Sequence, residues 1–263
     1  MLIKLLKYDM KWVYKVVNVF YILSFIFSIL TRIFFSIENS LLFSIVGQIS
    51  NSVMISMLIS SLINSLMRSW ARFVNNIYKD ESYLTHTLPV KKSDIYLSKV
   101  LTSIICSFTT VVVALGCIFI SYYSQTNIEI LKEYLRLAAN TYDTTVISFL
   151  LVMSLVIFLE ILFIILIGYV AIIIGHRSNK NKMGKSIITG IVLYLVTSNI
   201  SLVIIVIMGL FNENIMNLIN TTAVVDIDTI KSILMFGIGI YAVYNIIYYI
   251  MGKKLLEKGV NVD

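Results

Sequence analysis

Six long apolar runs, at 13–36, 42–66, 97–122, 146–174, 187–211 and 231–251, constrain this chain more than anything else in it. About 20 apolar residues are enough to cross the hydrocarbon core of a bilayer. Inside that core each backbone N–H and C=O must be satisfied within its own segment, so runs of this length fold as helices. Charge supports the same reading: only 13% of the 263 residues are charged, about half the share of a soluble domain. The expected fold class is an all-α membrane protein, a single domain over 1–263 with six transmembrane helices. The 29-residue fourth run is longer than a bilayer requires, which calls for tilt or an extension beyond it.

Basic residues give the expected orientation. Seventeen of the 21 Lys and Arg fall on one side, in the N-terminal segment, the loops after the second and fourth runs, and the tail. Only Arg32, Lys132, Arg136 and Lys231 fall on the other. The positive-inside rule then places both termini in the cytoplasm, as an even number of spans requires. The net charge of +7 is therefore a matter of topology and lipid headgroups; it is no sign of nucleic-acid binding.

The parts outside the spans differ in kind. Residues 1–12 set Leu2, Leu5, Leu6 and Trp12 against Lys4, Lys7 and Lys11, the pattern of a short interfacial helix. Apolar positions 128, 131, 135 and 138 recur at helical spacing in the connection 123–145, so an amphipathic helix is expected there. The connection 212–230 is acidic and polar, with Glu213, Asp226 and Asp228. Cys106 and Cys117, eleven residues apart on one helix, stand about 16 Å apart along its axis. They cannot bond to each other and are expected to pack as small apolar residues.

Residues with chemical potential are few. Gly184-Lys185-Ser186 ends like a phosphate-binding loop, but the glycine that motif needs at 179 is Asn179 and no strand precedes it. ATP is accordingly not expected on this chain. No catalytic constellation is evident, and the chain is read as a non-enzyme with no directly bound cofactor or metal. Serines crowd the second run, with Ser52, Ser56 and Ser60 on one face; close helix packing and a polar translocation path both fit them. Glu160 stands near the middle of the fourth run. A carboxylate there costs at least ~2.5 kcal/mol on insertion scales. Two readings are open for it: a substrate- or proton-linked site, or a hydrogen-bonded packing residue against Thr197, Ser198 or Asn199.

The connection 67–96 is the longest and most detailed. It holds the only proline, Pro89, and His86, one of two histidines. Residues 68–78 should continue the second helix. Residues 80–88 suit a short helix that opens on acids, favoured near an N-terminal dipole, and Pro89 forces the preceding residue into an extended conformation. Ser93 is a plausible N-cap for the next helix, with Asp94 in its first turn.

The run Asp80-Glu81-x-Tyr83-Leu84-Thr85-x-Thr87-Leu88-Pro89-Val90, followed by Ile95-x-x-Ser98-Lys99, resembles the cytoplasmic loop of bacterial type-2 ABC exporter permeases. The likeness extends in architecture to the whole chain: a basic interfacial helix, six spans, both ends inside and no nucleotide-binding domain. The resemblance implies that this connection holds a coupling helix, with Asp80, Glu81, Tyr83, Leu84, Thr85 and His86 contacting a separate ATPase subunit. It further implies two ATPase copies that bind the ATP, a second permease, itself or a relative, and residence in the cytoplasmic membrane. The expected function is export of a peptide or other amphipathic substrate. The short external connections depart from larger members and speak against a large extracellular gate. The alternative is a secondary transporter or channel-like protein that uses Glu160.

Overall fold

The computed structural model describes residues 2–37, 40–79, 81–212, 215–216 and 227–259. Among these residues there are eight α-helices and no strand, and six of the helices are long and apolar enough to span a membrane. The chain is thus an all-α, multi-pass membrane protein. It divides into two compact units, one built from residues up to Leu131 and one from Lys132 to Asn261.

The first unit contains α1 (Leu2–Phe35), α2 (Leu41–Ile77), α3 (Ser82–Thr87) and α4 (Lys92–Tyr122). Residues 2–12 are not a separate element: they form the opening turns of α1, which runs unbroken into the first span. At 1.5 Å per residue α1 and α2 are about 51 and 55 Å long, well beyond a hydrocarbon core of roughly 30 Å. Both must project from it by several turns. As expected, α2 continues past its apolar run to Ile77. α3 stops at Thr87 because Leu88, ahead of Pro89, is extended at ψ 137°. α4 starts two residues earlier than expected: Lys91 is the N-cap, Ser93 lies within the first turn, and Asp94 is in that turn as foreseen.

Helical period decides which polar residues go inside. On α2 the buried set is Gly47, Ser50, Met54, Leu58, Ser61, Ser65 and Ser69, a stripe of three- and four-residue steps that lets α1 and α4 approach closely. Ser52 and Ser56, nearly half a turn away, are exposed and donate to the Gln48 and Ser52 carbonyls of their own helix. The stripe at four-residue spacing is therefore not the packed face. Between helices, Tyr14 and Tyr21 Oη meet Thr109 and Thr110 Oγ1 at 2.8 and 2.6 Å. Cys106 is buried with Val13 and Val17, and Cys117 with Met54 and Leu58. Both are free thiols used for packing, as expected.

α5 (Gln125–Thr141) begins in the first unit and ends in the second. Ile128, Leu135 and Ala138 are half-buried along one side, while Glu129, Lys132, Glu133 and Arg136 are exposed. Most of the acidic connection at 212–230 lies outside the described residues.

The second unit contains α6 (Val146–Gly175), α7 (Lys182–Gly209) and α8 (Ile227–Glu257), and α6 packs against both other long helices. Phe163 on α6 is its centre: the rings of Tyr194, Tyr241, Tyr244 and Tyr248 stand 5.4–6.3 Å from it. Thr197 and Tyr248 share a 2.6 Å hydrogen bond across α7 and α8.

Where α6 turns into α7, a Cβ on Gly175 would overlap the backbone nitrogen and Cα of Ser186. Backbone cannot swing aside as a side chain can. Gly175→Ala should therefore cost about 1–3 kcal/mol, read as a lower unfolding temperature in detergent. Gly237→Ala, where a Cβ meets nothing within 4 Å, should be neutral or stabilising, because alanine is the better helix former. Equal stability of the two variants would refute the close-approach account of Gly175.

Candidate functional site

The same packing stripes that bury apolar residues in the first unit also carry charges inward at its polar end. On α1, Asp9 lies one and two turns ahead of Val13 and Val17 and shares their buried face. On α2, Arg72 and Asn76 prolong the Ser61–Ser65–Ser69 stripe. On α4, Ser98 and Lys99 precede the buried Thr102, Ser103 and Cys106 by a turn or two. Three helices thus direct an acid, an arginine and a lysine to one point.

The geometry is close. Asp9 Oδ1 accepts from Arg72 Nε at 2.9 Å and from Lys99 Nζ at 2.6 Å, and Oδ2 accepts from Ser98 Oγ at 3.1 Å. Asp9 and Lys99 are each only 2% exposed. Arg72 reaches onward with Nη1 to Glu81 Oε2 at 2.5 Å, and Asn76 Nδ2 donates to the same oxygen at 3.1 Å. Two acids and two bases therefore neutralise one another across α1, α2, α4 and the residue just before α3. A buried pair of this kind is useful for the geometry it specifies more than for net stability. On its flank, the Arg68 guanidinium stacks 4.1 Å from the Trp12 ring, and Arg72 stands 5.6 Å from that ring.

Glu81 is the hinge pin between this cluster and α3. Its side chain binds Arg72, while its carbonyl accepts Thr85 N and Thr85 Oγ1, both at 3.0 Å. A second tie closes the far end: His86 Nε2 donates to the Ile77 carbonyl at 3.2 Å. Beneath lie three buried rings, Phe73 packed edge-on against Tyr78 and Tyr96. A six-residue helix has little stability of its own; these anchors hold it.

The residues expected to contact a partner therefore separate into two sets. Glu81, Thr85 and His86 face inward and hold α3 in place. Tyr83 and Leu84 face outward, 76% and 67% exposed. Asp80 lies outside the described residues. Sequence reasoning missed Asp9 and Arg72 as members of the site. One signal was available: Asp9 is the sole acid among Lys4, Lys7, Lys11 and Lys15, at helical spacing from Val13 and Val17.

Elsewhere, Glu160 is exposed on α6 and makes no hydrogen bond or ion pair among the described residues. Two of the three residues expected to pack against it are otherwise engaged. Thr197 bonds to Tyr248 and to its own helix, and Asn199 Nδ2 donates to the Leu195 carbonyl. His176 is buried: its ring nitrogen donates to the Ile172 carbonyl at 2.9 Å beside the Ser186 hydroxyl. Gly184, Lys185 and Ser186 form helical turns of α7. Among the described residues no three His, Cys, Asp or Glu side chains gather as a metal site would require. Comparison with protein-family models, curated proteins and solved structures finds no match to this chain.

Proposed function

We propose that this chain is the membrane-spanning permease subunit of an ATP-binding cassette exporter. It would sit in the cytoplasmic membrane with both termini inside, pair with a second permease, and receive its power stroke from two separate ATPase subunits. The observation that carries this reading is the construction of α3: an exposed Tyr83–Leu84 tip on a short helix that Glu81, Arg72, Asp9 and Lys99 tie to three long helices. An ordinary solvated connection needs no such mooring. A docking element that must pass force from a soluble motor to membrane helices does, since force applied to a loosely hinged loop would be lost in moving the loop. The substrate favoured by this reading is a peptide or other amphipathic compound.

Purification of the tagged chain in mild detergent tests it. The expected result is co-purification of an ATPase with a phosphate-binding loop, in equal copy number with the permease. Recovery of the chain at normal levels without an ATPase, from cells that contain its native neighbours, would overturn it.

One observation favours a second reading, a secondary transporter: the exposed, unpartnered Glu160 near the middle of α6. That reading requires uptake or efflux that stops when the ion gradient is dissipated while ATP is maintained, and that fails on Glu160→Gln. The exporter reading requires the opposite response to gradient and ATP.

A further inference from the structure

Glu160 is the fifteenth residue of the 30-residue α6, about 21 Å along the axis from either end. An exposed carboxylate at that depth calls for a counter-charge or a proton. A second copy of this chain has little to offer it. Within the six apolar runs the basic residues are Lys15, Arg32, Lys99 and Lys231, each within about one turn of a run's end. Any counter-charge at mid-depth has to come from another molecule.

The surroundings say what kind of molecule. Phe163, one turn along α6 from Glu160 and on the same face, packs edge-on against Tyr241 at 5.4 Å and lies 6.3 Å from Tyr194. Phe163 thus joins Tyr241 to the turn of α6 that carries Glu160. One turn further along α8, Asn245 donates Nδ2 to the carbonyl of Leu159, the residue before Glu160, at 3.0 Å. Asn245 is 6% exposed, and its Oδ1 is buried with no hydrogen-bond partner. A buried acceptor without a donor is uncommon and costly. Tyr241 also lines an almost wholly apolar cavity of about 90 Å³, walled by Ile205, Met208 and Phe236.

The geometry points to a binding site on the second unit for the protonated amine of an amphipathic molecule, with Glu160 as counter-ion and Tyr241 between the charge and an apolar cavity. An alkylammonium supplies what the site lacks: positive charge, several N–H donors and an apolar body. Aromatic faces add to the attraction for a cation. An anion would meet repulsion at Glu160, and a neutral amphiphile would leave the carboxylate uncompensated. As a statement about substrate class this rests on the transport reading; as a statement about binding it needs no ATPase.

The test uses the full chain alone in phosphatidylcholine nanodiscs, with dansylcadaverine, an apolar dye bearing one primary amine, as probe. Its N-acetyl derivative has the same body without the charge. Saturable binding of the amine at one per chain is expected, weakened at least about tenfold by Glu160→Gln, as loss of one charge-assisted hydrogen bond implies. Tyr241→Leu, which leaves the carboxylate in place, should weaken it several-fold and serves if Glu160→Gln does not fold. The acetylated probe should bind the wild-type chain no better than it binds Glu160→Gln. Amine binding that is unsaturable, unchanged in a folded variant, or matched by the acetylated probe overturns the site. Because no ATPase is present, such a failure leaves the coupling role of α3 standing. Absence of an ATPase in the co-purification, conversely, would leave this site standing.

Discussion

Asp9→Asn is expected to lower the stability of the first unit by about 3–5 kcal/mol, the cost of breaking a buried ion pair by removing one partner. Arg72 Nε and Lys99 Nζ both rest on the same oxygen of Asp9. Without its charge, Arg72 and Lys99 lose the carboxylate they share, while Glu81 still pairs with Arg72. Both tryptophans of the chain, Trp12 and Trp70, belong to this unit, so the unfolding midpoint can be followed by their fluorescence in detergent. Adding Lys99→Met to Asp9→Asn removes one of the two cations that shared the carboxylate and should recover a large part of the loss, leaving Arg72 paired with Glu81. An Asp9→Asn chain that unfolds with the wild type, or a double variant no better than the single, would show that the cluster does not hold the helices together.

The second large effect concerns a partner and not the fold. Tyr83→Ala with Leu84→Ala should abolish retention of the ATPase, because an exposed tyrosine at the tip of a fixed helix is the kind of side chain that dominates binding energy, and the leucine beside it adds apolar area. Their joint removal at an interface centre costs about 2–4 kcal/mol, on the order of thirtyfold or more in affinity. The unfolding midpoint should not move, since neither side chain is buried. Glu81→Lys makes the contrasting case. It places a cation against Arg72 and Asn76, so stability and partner binding should fall together. Charge reversal at Asp80 and Glu81 therefore cannot by itself separate contact from mooring, whereas the Tyr83–Leu84 pair can. Full ATPase retention by a correctly inserted Tyr83→Ala, Leu84→Ala chain would remove α3 as the contact.

Much of the architecture was legible one residue after another. Helices as long as α6 follow from apolar runs that have no alternative in hydrocarbon. The stop of α3 follows from Pro89, which acts on its immediate neighbour, and the acid at the start of α4 from a local dipole. Each of these causes operates within a few residues. The first break in this legibility is at residue 12, where a change of composition suggested two elements and the helix runs on. Composition reports the surroundings of a segment, while backbone hydrogen bonds propagate across the change.

Side-chain partnerships were not legible. Ser52, Ser56 and Ser60 and the stripe through Ser50, Ser61 and Ser65 are both helically periodic, and nothing within α2 says which one meets α1 and α4. His176 is followed by charges in the sequence and is buried in the structure, where Ser186 of α7 stands 3.3 Å from its ring nitrogen. Asp9 lies 63 residues from Arg72 and 90 from Lys99, so no local pattern joins them.

The sequence by itself determined that this protein is helical, crosses the membrane with six apolar helices and has a short punctuated helix between the second and third, because hydrophobic length, proline and charge act locally. Only the tertiary structure decided that Glu81 holds α3 to Asp9, Arg72 and Lys99, that Tyr83 and Leu84 are left exposed, and that Glu160 stands exposed on the helix that packs against Tyr241 and Asn245. Ion pairs and exposure are properties of which faces meet, and that is settled when helices pack together.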